Sequence, residues 1–159
     1  IALLFVVQGI KRGAEQGNSA LWQVKAVQLA VALLDQQSSK RYDEASELDQ
    51  PCRDSSVTAP SLAVCSALLG PEEASRDLYD DVDDLHGFNS RDGGDNLNDL
   101  LGGDLEAQRQ YAGYAVSVAV SYVGSDFGRA SQDLKRVTLY IFPPGQDLSV
   151  AFSSYRGNY

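Results

Sequence analysis

A strict alternation of side chains runs through the segment YAVSVAVSYV at residues 114–123. Tyr114, Val116, Val118, Val120 and Tyr122 fall on one side of an extended chain, and small residues fall on the other. A period of two is that of a strand with one buried face, because successive side chains point to opposite faces of a sheet. The segment therefore predicts a half-buried strand whose apolar face needs a covering layer.

Two further segments continue this pattern towards the C-terminus, and the turn sequence PPGQD separates them. Their apolar faces are formed by Val137, Leu139 and Ile141 in LKRVTLYIF and by Leu148, Val150 and Phe152 in LSVAF. Short connections favour antiparallel pairing, so we predict an antiparallel β-meander.

The first forty residues contain no proline and predict a long helix that can cover this sheet. From Ser19 onward, apolar side chains recur at helical spacing. The stripe that we expect to face the sheet consists of Ala20, Val24, Val27, Val31 and Leu34, with Leu21 and Trp22 beside it. The residues that we expect to face solvent are Gln23, Lys25, Gln28 and Asp35. The predicted fold is α+β, with the N-terminal helix packed on the C-terminal meander.

The middle of the chain, residues 41–110, predicts a loop-rich region, and SRDGGDNLNDLLGGD at residues 90–104 predicts turns. We expect a short helix from about Glu72 to Val82, because Pro71 suits a first helical turn and glutamates suit its positive end. The apolar residues expected to pin the loops are Leu62, Leu78, Leu85, Phe88, Leu97 and Leu100. Residues 1–40 form the helix in this description, and residues 41–159 form a head that makes one domain with residues 19–40.

Charge and cysteine content exclude several classes of function. Thirteen basic residues against 22 acidic ones give a net charge of −9 without a dense basic run, so nucleic acid is not an expected partner. Cys52 and Cys65 have neither CxxC spacing nor histidines nearby, which argues against zinc. In an oxidising compartment a bridge between them would contribute roughly 3 kcal/mol through loop entropy. Two separate buried thiols are the alternative.

The segment LYDDVDDLHG at residues 78–87 is the densest cluster of chemically capable side chains. His86 is the chain's only histidine, and Asp83 and Asp84 are the acids that could orient it. The chain has no GxSxG elbow, no glycine-rich phosphate loop and no HExxH motif. We therefore predict no catalytic residue and no enzyme activity.

Calcium is a more serious candidate, because it takes six to eight oxygen ligands. The side chains that could supply them are Asp80, Asp81, Asp83, Asp84, Asn89, Asp92, Asp95, Asn96, Asn98, Asp99 and Asp104. The EF-hand register fails, since Leu85 and Leu97 occupy ligand positions counted from Asp81 and Asp95. A site built from separate loops stays open, as does an epitope for a basic partner surface. The favoured interpretation is a structural turn whose aspartates cap helices or accept backbone hydrogen bonds, with no cofactor.

Three segments in combination carry a resemblance to a known family: LYDDVDDLHGF, LKRVTLYIFPPG and the terminal SSYRGNY. Together with the helix, loop and meander order, they resemble the minor pilins of the MSHA (mannose-sensitive haemagglutinin) type IV pili. That family carries a segment similar to FDDVDDYHG, a strand with KRI/V-T and a chain end close to YRANY. The resemblance covers roughly residues 20–159.

The resemblance implies a pilin-like fold and a structural, non-enzymatic subunit that takes part in pilus assembly, in initiation or in a tip complex. Its partners would be other minor and major pilins. It would lie in the inner membrane with a periplasmic head before assembly, and in the extracellular pilus afterwards. The oxidising periplasm would let Cys52 and Cys65 pair.

The beginning of the chain departs from the family pattern. Pilins begin with a prepilin cleavage site and a phenylalanine-led apolar helix that carries a glutamate near its start, and neither precedes Ile1. We expect Ile1–Val7 to be the downstream part of a membrane helix whose anchoring segment is missing from this sequence.

Tyr155, Arg156 and Tyr159 near the C-terminus are candidates for a partner interface, because tyrosine and arginine are favoured there. A last strand lying at the sheet edge is the alternative explanation of these residues. Two other functions remain open: a minor pseudopilin of type II secretion, and a calcium-stabilised adhesive or binding module.

Overall fold

The computed structural model describes residues 2–47 and 50–159, with side chains from residue 20 onward. The helices are α1 (Ala2–Ser38), α2 (Leu97–Leu100) and α3 (Leu105–Gln110). The strands are β1 (Ala115–Tyr122), β2 (Leu134–Phe142) and β3 (Val150–Gly157). We expect Ile1–Val7 to be part of a membrane helix, and the side chains of these residues lie outside the described part of the structure. Within the described part of the chain, no helix has the length and apolar character needed to cross a membrane.

The three strands form one antiparallel sheet in the order β1-β2-β3, which confirms the predicted meander. Val118, Leu139 and Phe152 lie opposite one another in this register and therefore share a face. The alternation in β1 and β2 is confirmed. The residues of these strands that are buried on this face are Val116, Val118, Val120, Val137, Leu139 and Ile141.

The third strand begins later than the sequence predicts. Leu148, expected on its apolar face, precedes β3 and is 84% exposed. The reason is the turn after Pro143, where the amide of Gln146 donates to the Pro143 carbonyl. The chain joins the sheet only at Val150, which is exposed, and Phe152 is the residue of β3 that packs against the core.

Helix α1 packs on the sheet with a face other than the predicted one. The buried residues are Ala26, Leu29, Ala30 and Leu33, which we call the inner stripe. The predicted face was wrong for Ala20, Val24, Val27 and Val31, which are exposed, whereas Leu34 is half-buried against the core. The predicted neighbours also differ: Leu21 is exposed and Trp22 half-buried. Gln23, Gln28 and Asp35 are exposed as expected, whereas Lys25 is half-buried.

The physical reason is that α1 carries apolar residues at helical spacing on two sides, so periodicity alone does not choose between them. Ala26 and Ala30 are small and let the helix backbone approach the sheet, while Leu29 and Leu33 fill the space beside them. Packing against the sheet therefore selects the alanine side.

The loop-rich middle differs from the prediction in its helices. The helix expected from Glu72 to Val82 is absent, and only a 3-10 turn at Arg76–Leu78 forms there. The aspartates of this segment hydrogen-bond to nearby amides instead, which competes with helix formation. Conversely, α2 and α3 form within and after the predicted turns, because Asn96 and Asp104 cap their first amides.

Most of the predicted loop anchors are in place. Leu85, Phe88 and Leu97 are buried in the main core. Leu62 and Leu100 are half-buried. The prediction for Leu78 was wrong, since this side chain is exposed next to the 3-10 turn.

Cys52 and Cys65 form a disulfide, and both residues are buried against Tyr42. The amide of Cys65 donates to the Arg53 carbonyl, and the Asn158 side chain donates to the Cys52 carbonyl at 2.7 Å. The disulfide therefore links two parts of the middle loops, and the Asn158 hydrogen bond joins them to the end of the chain. The alternative of two separate thiols is excluded.

Candidate assembly interface

The side of α1 that faces away from the sheet carries an uninterrupted row of large apolar side chains. Leu21, Val24, Val27 and Val31 follow one another at spacings of three or four residues, and we call them the outer stripe. Their exposed fractions lie between 47% and 61%. Taking a side chain of this size from full exposure to full burial is worth about 1.5–3 kcal/mol. Because these side chains are already partly covered, covering the row would gain part of that free energy for each residue.

Uncharged or small residues flank the outer stripe, and Asp35 marks its C-terminal end. Ala20, Gln23 and Gln28 are exposed beside the stripe. Lys25 turns away from it, and its ammonium group donates to the Gln110 carbonyl at 3.3 Å. The helix surface between residues 20 and 34 therefore presents little charge to a partner.

The outer stripe belongs to a helix whose opposite face is packed into the core. Directly behind it, Leu29 and Leu33 of the inner stripe pack into the same core as Val118, Leu139 and Ile141 of the sheet. The hydroxyl of Tyr114 also donates to the Trp22 carbonyl at 3.1 Å. A partner that binds the outer stripe would thus meet a preorganised surface.

A buried lysine joins the segment that follows α1, the acidic segment and the sheet. Lys135 of β2 is fully buried, and its ammonium group pairs with Asp43 at 2.9 Å and with Asp83. It also donates to the Tyr42 carbonyl at 2.6 Å, and the rings of Tyr42 and Tyr122 lie 4.6 and 5.3 Å away. Because every partner is itself buried or half-buried, this cluster is a structural junction.

Asp43 is the most highly coordinated member of the junction. Its carboxylate accepts hydrogen bonds from the amide and hydroxyl of Ser66, from the Tyr122 hydroxyl and from the Ala45 amide. Burial opposes ionisation of Asp43, but Lys135 and these donors together lower its pKa below the ordinary value. Burial, reinforced by the Asp43 carboxylate, raises the pKa of Tyr122.

The sequence reasoning missed Lys135 as a buried residue, although a signal was present. Lys135 precedes Val137, Leu139 and Ile141 by steps of two, so it belongs to the same face of β2. A lysine that continues a buried strand face predicts acidic partners elsewhere in the chain.

The acidic segment LYDDVDDLHG is mainly a structural turn, as the favoured interpretation predicts. The Asp81 carboxylate accepts from the amides of Asp83 and Asp84 at 2.8 and 3.2 Å, and Asp84 accepts from the Asp81 amide at 2.9 Å. Val82 and Leu85 of the same segment lie in the core. Burial, together with the charge of Asp83, raises the pKa of Asp81 to about 7.

His86 lies at the end of this turn and is exposed. Its Nδ1 accepts a hydrogen bond from the Val120 amide at 2.9 Å, next to the point where Gly87 and Phe88 pair with Val118 of β1. The imidazole thus extends the covering of the β1 edge. The buried carboxylates of Asp83 and Asp84 make hydrogen bonds to other groups, not to His86.

The oxygen ligands proposed for calcium are mostly engaged elsewhere. Asn96 and Asp104 cap helices, Asp95 and Asp99 pair with Arg76, and Asn89 accepts from the amides that follow it. Of the predicted aspartates, the described part of the chain places Asp80 and Asp84 in groups of three converging acidic side chains.

The three candidate residues near the C-terminus do not share one surface. Tyr155 and Arg156 are neighbours in β3 and point to opposite faces of the sheet. Tyr155 stacks edge-on against the exposed Phe127 on the open face, whereas Arg156 donates to the Lys40 carbonyl on the helix side. Tyr159 follows the strand and is exposed. Their role as a partner interface remains a prediction.

Comparisons with protein-family models, with curated proteins and with solved structures found no match to this chain.

Proposed function

We propose that this chain is a structural subunit that assembles with similar subunits through the outer stripe of α1. The observation that carries this proposal is the pair of apolar faces on α1, one packed on the sheet and one uncovered. A contiguous row of exposed apolar side chains is typical of a surface that contacts a partner. Helix-on-helix packing between subunits would bury it.

The kind of assembly that we propose is a type IV pilus of the MSHA type, with this chain as a minor pilin similar to MshD. Three features support this proposal: the acidic turn, the KRVT strand and the YRGNY end resemble that family. A helix packed on an antiparallel meander with a disulfide-closed loop is consistent with it. On this proposal the chain acts by assembly in initiation or at the tip, without catalysis, and its head lies in the periplasm before assembly.

The proposal is tested in cells that make the full-length protein and its pili. Val24→Asp combined with Val31→Asp places two charges on the outer stripe, and we expect the subunit to fold but to be lost from isolated pili. Gln23→Asp combined with Gln28→Asp adds the same charges beside the stripe, and we expect it to be incorporated. Normal incorporation of the first variant would contradict the proposal.

The same experiment separates a pilin from a pseudopilin of the type II secretion system. In the second case, the outer-stripe variant would leave surface pili unchanged and would instead reduce the export of secreted enzymes. A variant that affects neither process would exclude both assemblies.

A further inference from the structure

Two groups of acidic side chains converge around Glu73. One group consists of Glu44, Glu73 and Asp80, and the other of Glu72, Glu73 and Asp84. In each group, one oxygen of every member lies within 4.8 Å of the others. The two groups differ in whether a basic side chain pairs with their carboxylates.

Arg41 pairs with two of the three members of the first group. Its guanidinium lies 2.9 Å from a Glu44 oxygen and 2.5 and 2.6 Å from the two oxygens of Asp80. All three contacts come from one guanidinium nitrogen, Nη2, which lies between the two carboxylates. Glu44 and Asp80 therefore already have a cationic partner, whereas Glu73, the third member, does not pair with Arg41.

The second group contains buried oxygens that have no partner. Asp84 is 2% exposed, and its Oδ2 accepts from the Asp81 amide. Its Oδ1 is buried and has no hydrogen-bond partner, and the same is true of Glu73 Oε2. A buried carboxylate oxygen without a donor or a cation is costly, so these two oxygens point to an absent positive group.

Lys40 interacts electrostatically with Glu73 and Asp84, but it does not supply the missing hydrogen bonds to their oxygens. Its ammonium group lies 5.9 Å from the centre of the Tyr79 ring, and no hydrogen bond joins it to the carboxylates of the described chain. Burial lowers the pKa of Lys40 despite those carboxylates. Burial also raises the pKa of Glu73, and the adjacent Asp84 carboxylate raises it further.

We propose that Glu72, Glu73 and Asp84 form a binding site for a divalent cation, and that calcium is the ion it takes. The donors are carboxylate oxygens alone, which suit calcium or magnesium and not zinc. Glu72 is exposed, so water can complete an irregular shell, which calcium accepts more readily than magnesium. The ion would join the loop at residues 72–73 to the acidic segment at Asp84.

This site is independent of the proposed assembly function, and its test uses the purified chain. After removal of metal with a chelator, calcium at about 5 mM is expected to raise the midpoint of thermal unfolding by about 3 °C or more. Magnesium should give a smaller shift, and calorimetric titration should show a single calcium ion per chain. An unfolding midpoint that does not respond to calcium would overturn the proposal.

Variants locate the ion. Glu73→Gln is expected to weaken calcium binding at least about tenfold, whereas Glu106→Gln, the same change at an exposed residue of α3, should leave it unchanged. Glu44→Gln should also leave it unchanged, because Glu44 is paired with Arg41 and is not a member of the second group. Equal weakening by Glu44→Gln and Glu73→Gln would overturn the assignment to the second group.

A shared proton is the competing explanation of the unpartnered oxygens. In that case calcium would not change the stability of the unmodified chain, and Glu73→Gln would raise the unfolding midpoint at neutral pH by removing the need for that proton. This combination of results would also overturn the proposal.

Discussion

The inner and outer stripes of α1 are both apolar, yet only one of them packs within the domain. The inner stripe is built from alanine and leucine and lies in the core, whereas the outer stripe is built mainly from valine and is exposed. The difference shows that hydrophobic periodicity identifies faces that can be buried but does not decide which of two such faces meets the sheet. The face left over is available to a partner.

The largest loss of stability on mutation is expected at Lys135, which lies on the same side of the sheet as the inner stripe. Lys135→Met leaves Asp43 and Asp83 buried without their cation and should lower the free energy of unfolding by about 3–5 kcal/mol. Urea unfolding measures this change.

Arg136 provides the control for that experiment, because it is the next residue and points to the open face of the sheet. Arg136→Met should cost less than about 1 kcal/mol. If the two variants lost equal stability, the buried junction would not be the structural anchor described above.

The two stripes can be compared directly by truncation. Leu29→Ala on the inner stripe should lower the free energy of unfolding by about 2–4 kcal/mol, because it opens a cavity against the sheet. Val31→Ala on the outer stripe should change it by less than about 0.5 kcal/mol, and alanine's higher helix propensity favours the stabilising direction. A larger loss at Val31 would mean that the outer stripe is covered within the chain.

A smaller and pH-dependent contribution to the free energy of unfolding is expected from Asp54, where the middle loops approach the sheet. Hydrogen bonds from Ser56 and from the Gln132 amide lower the pKa of Asp54. A lowered pKa contributes stability that is fully present above the unfolded value of about 3.9 and is lost as pH falls through the folded value. The unmodified chain should therefore lose stability below about pH 4, and Asp54→Asn should lose less over that range. Identical acid dependence of the two proteins would contradict this account.

The sequence could predict the sheet because its strands repeat a local pattern. The alternation in β1 and β2 depends on neighbours two residues apart, and both strands form with the expected face buried. The predicted start of β3 was wrong because Leu148 continues the apolar pattern of the strand. In the structure, a turn still holds the chain away from the sheet at this residue. Periodicity does not show where pairing begins.

The features that escaped prediction depend on contacts between distant residues. To predict which stripe of α1 packs on the sheet, one would need to know the shape of the sheet surface. The helix expected at Glu72–Val82 does not form, because Asp83 pairs with Lys135 and Asp81 bonds to nearby amides. The acidic group at Glu73 joins residues 72–73 to Asp84, and neither segment alone indicates it.

The most direct test of the central claim is the thermal unfolding and pilus incorporation of Val31→Asp measured on the same protein. If the outer stripe is an assembly surface, the variant should unfold within about 2 °C of the unmodified chain and should be depleted from pili. A variant that unfolds far below the unmodified chain, or one that enters pili at the normal level, would contradict the account.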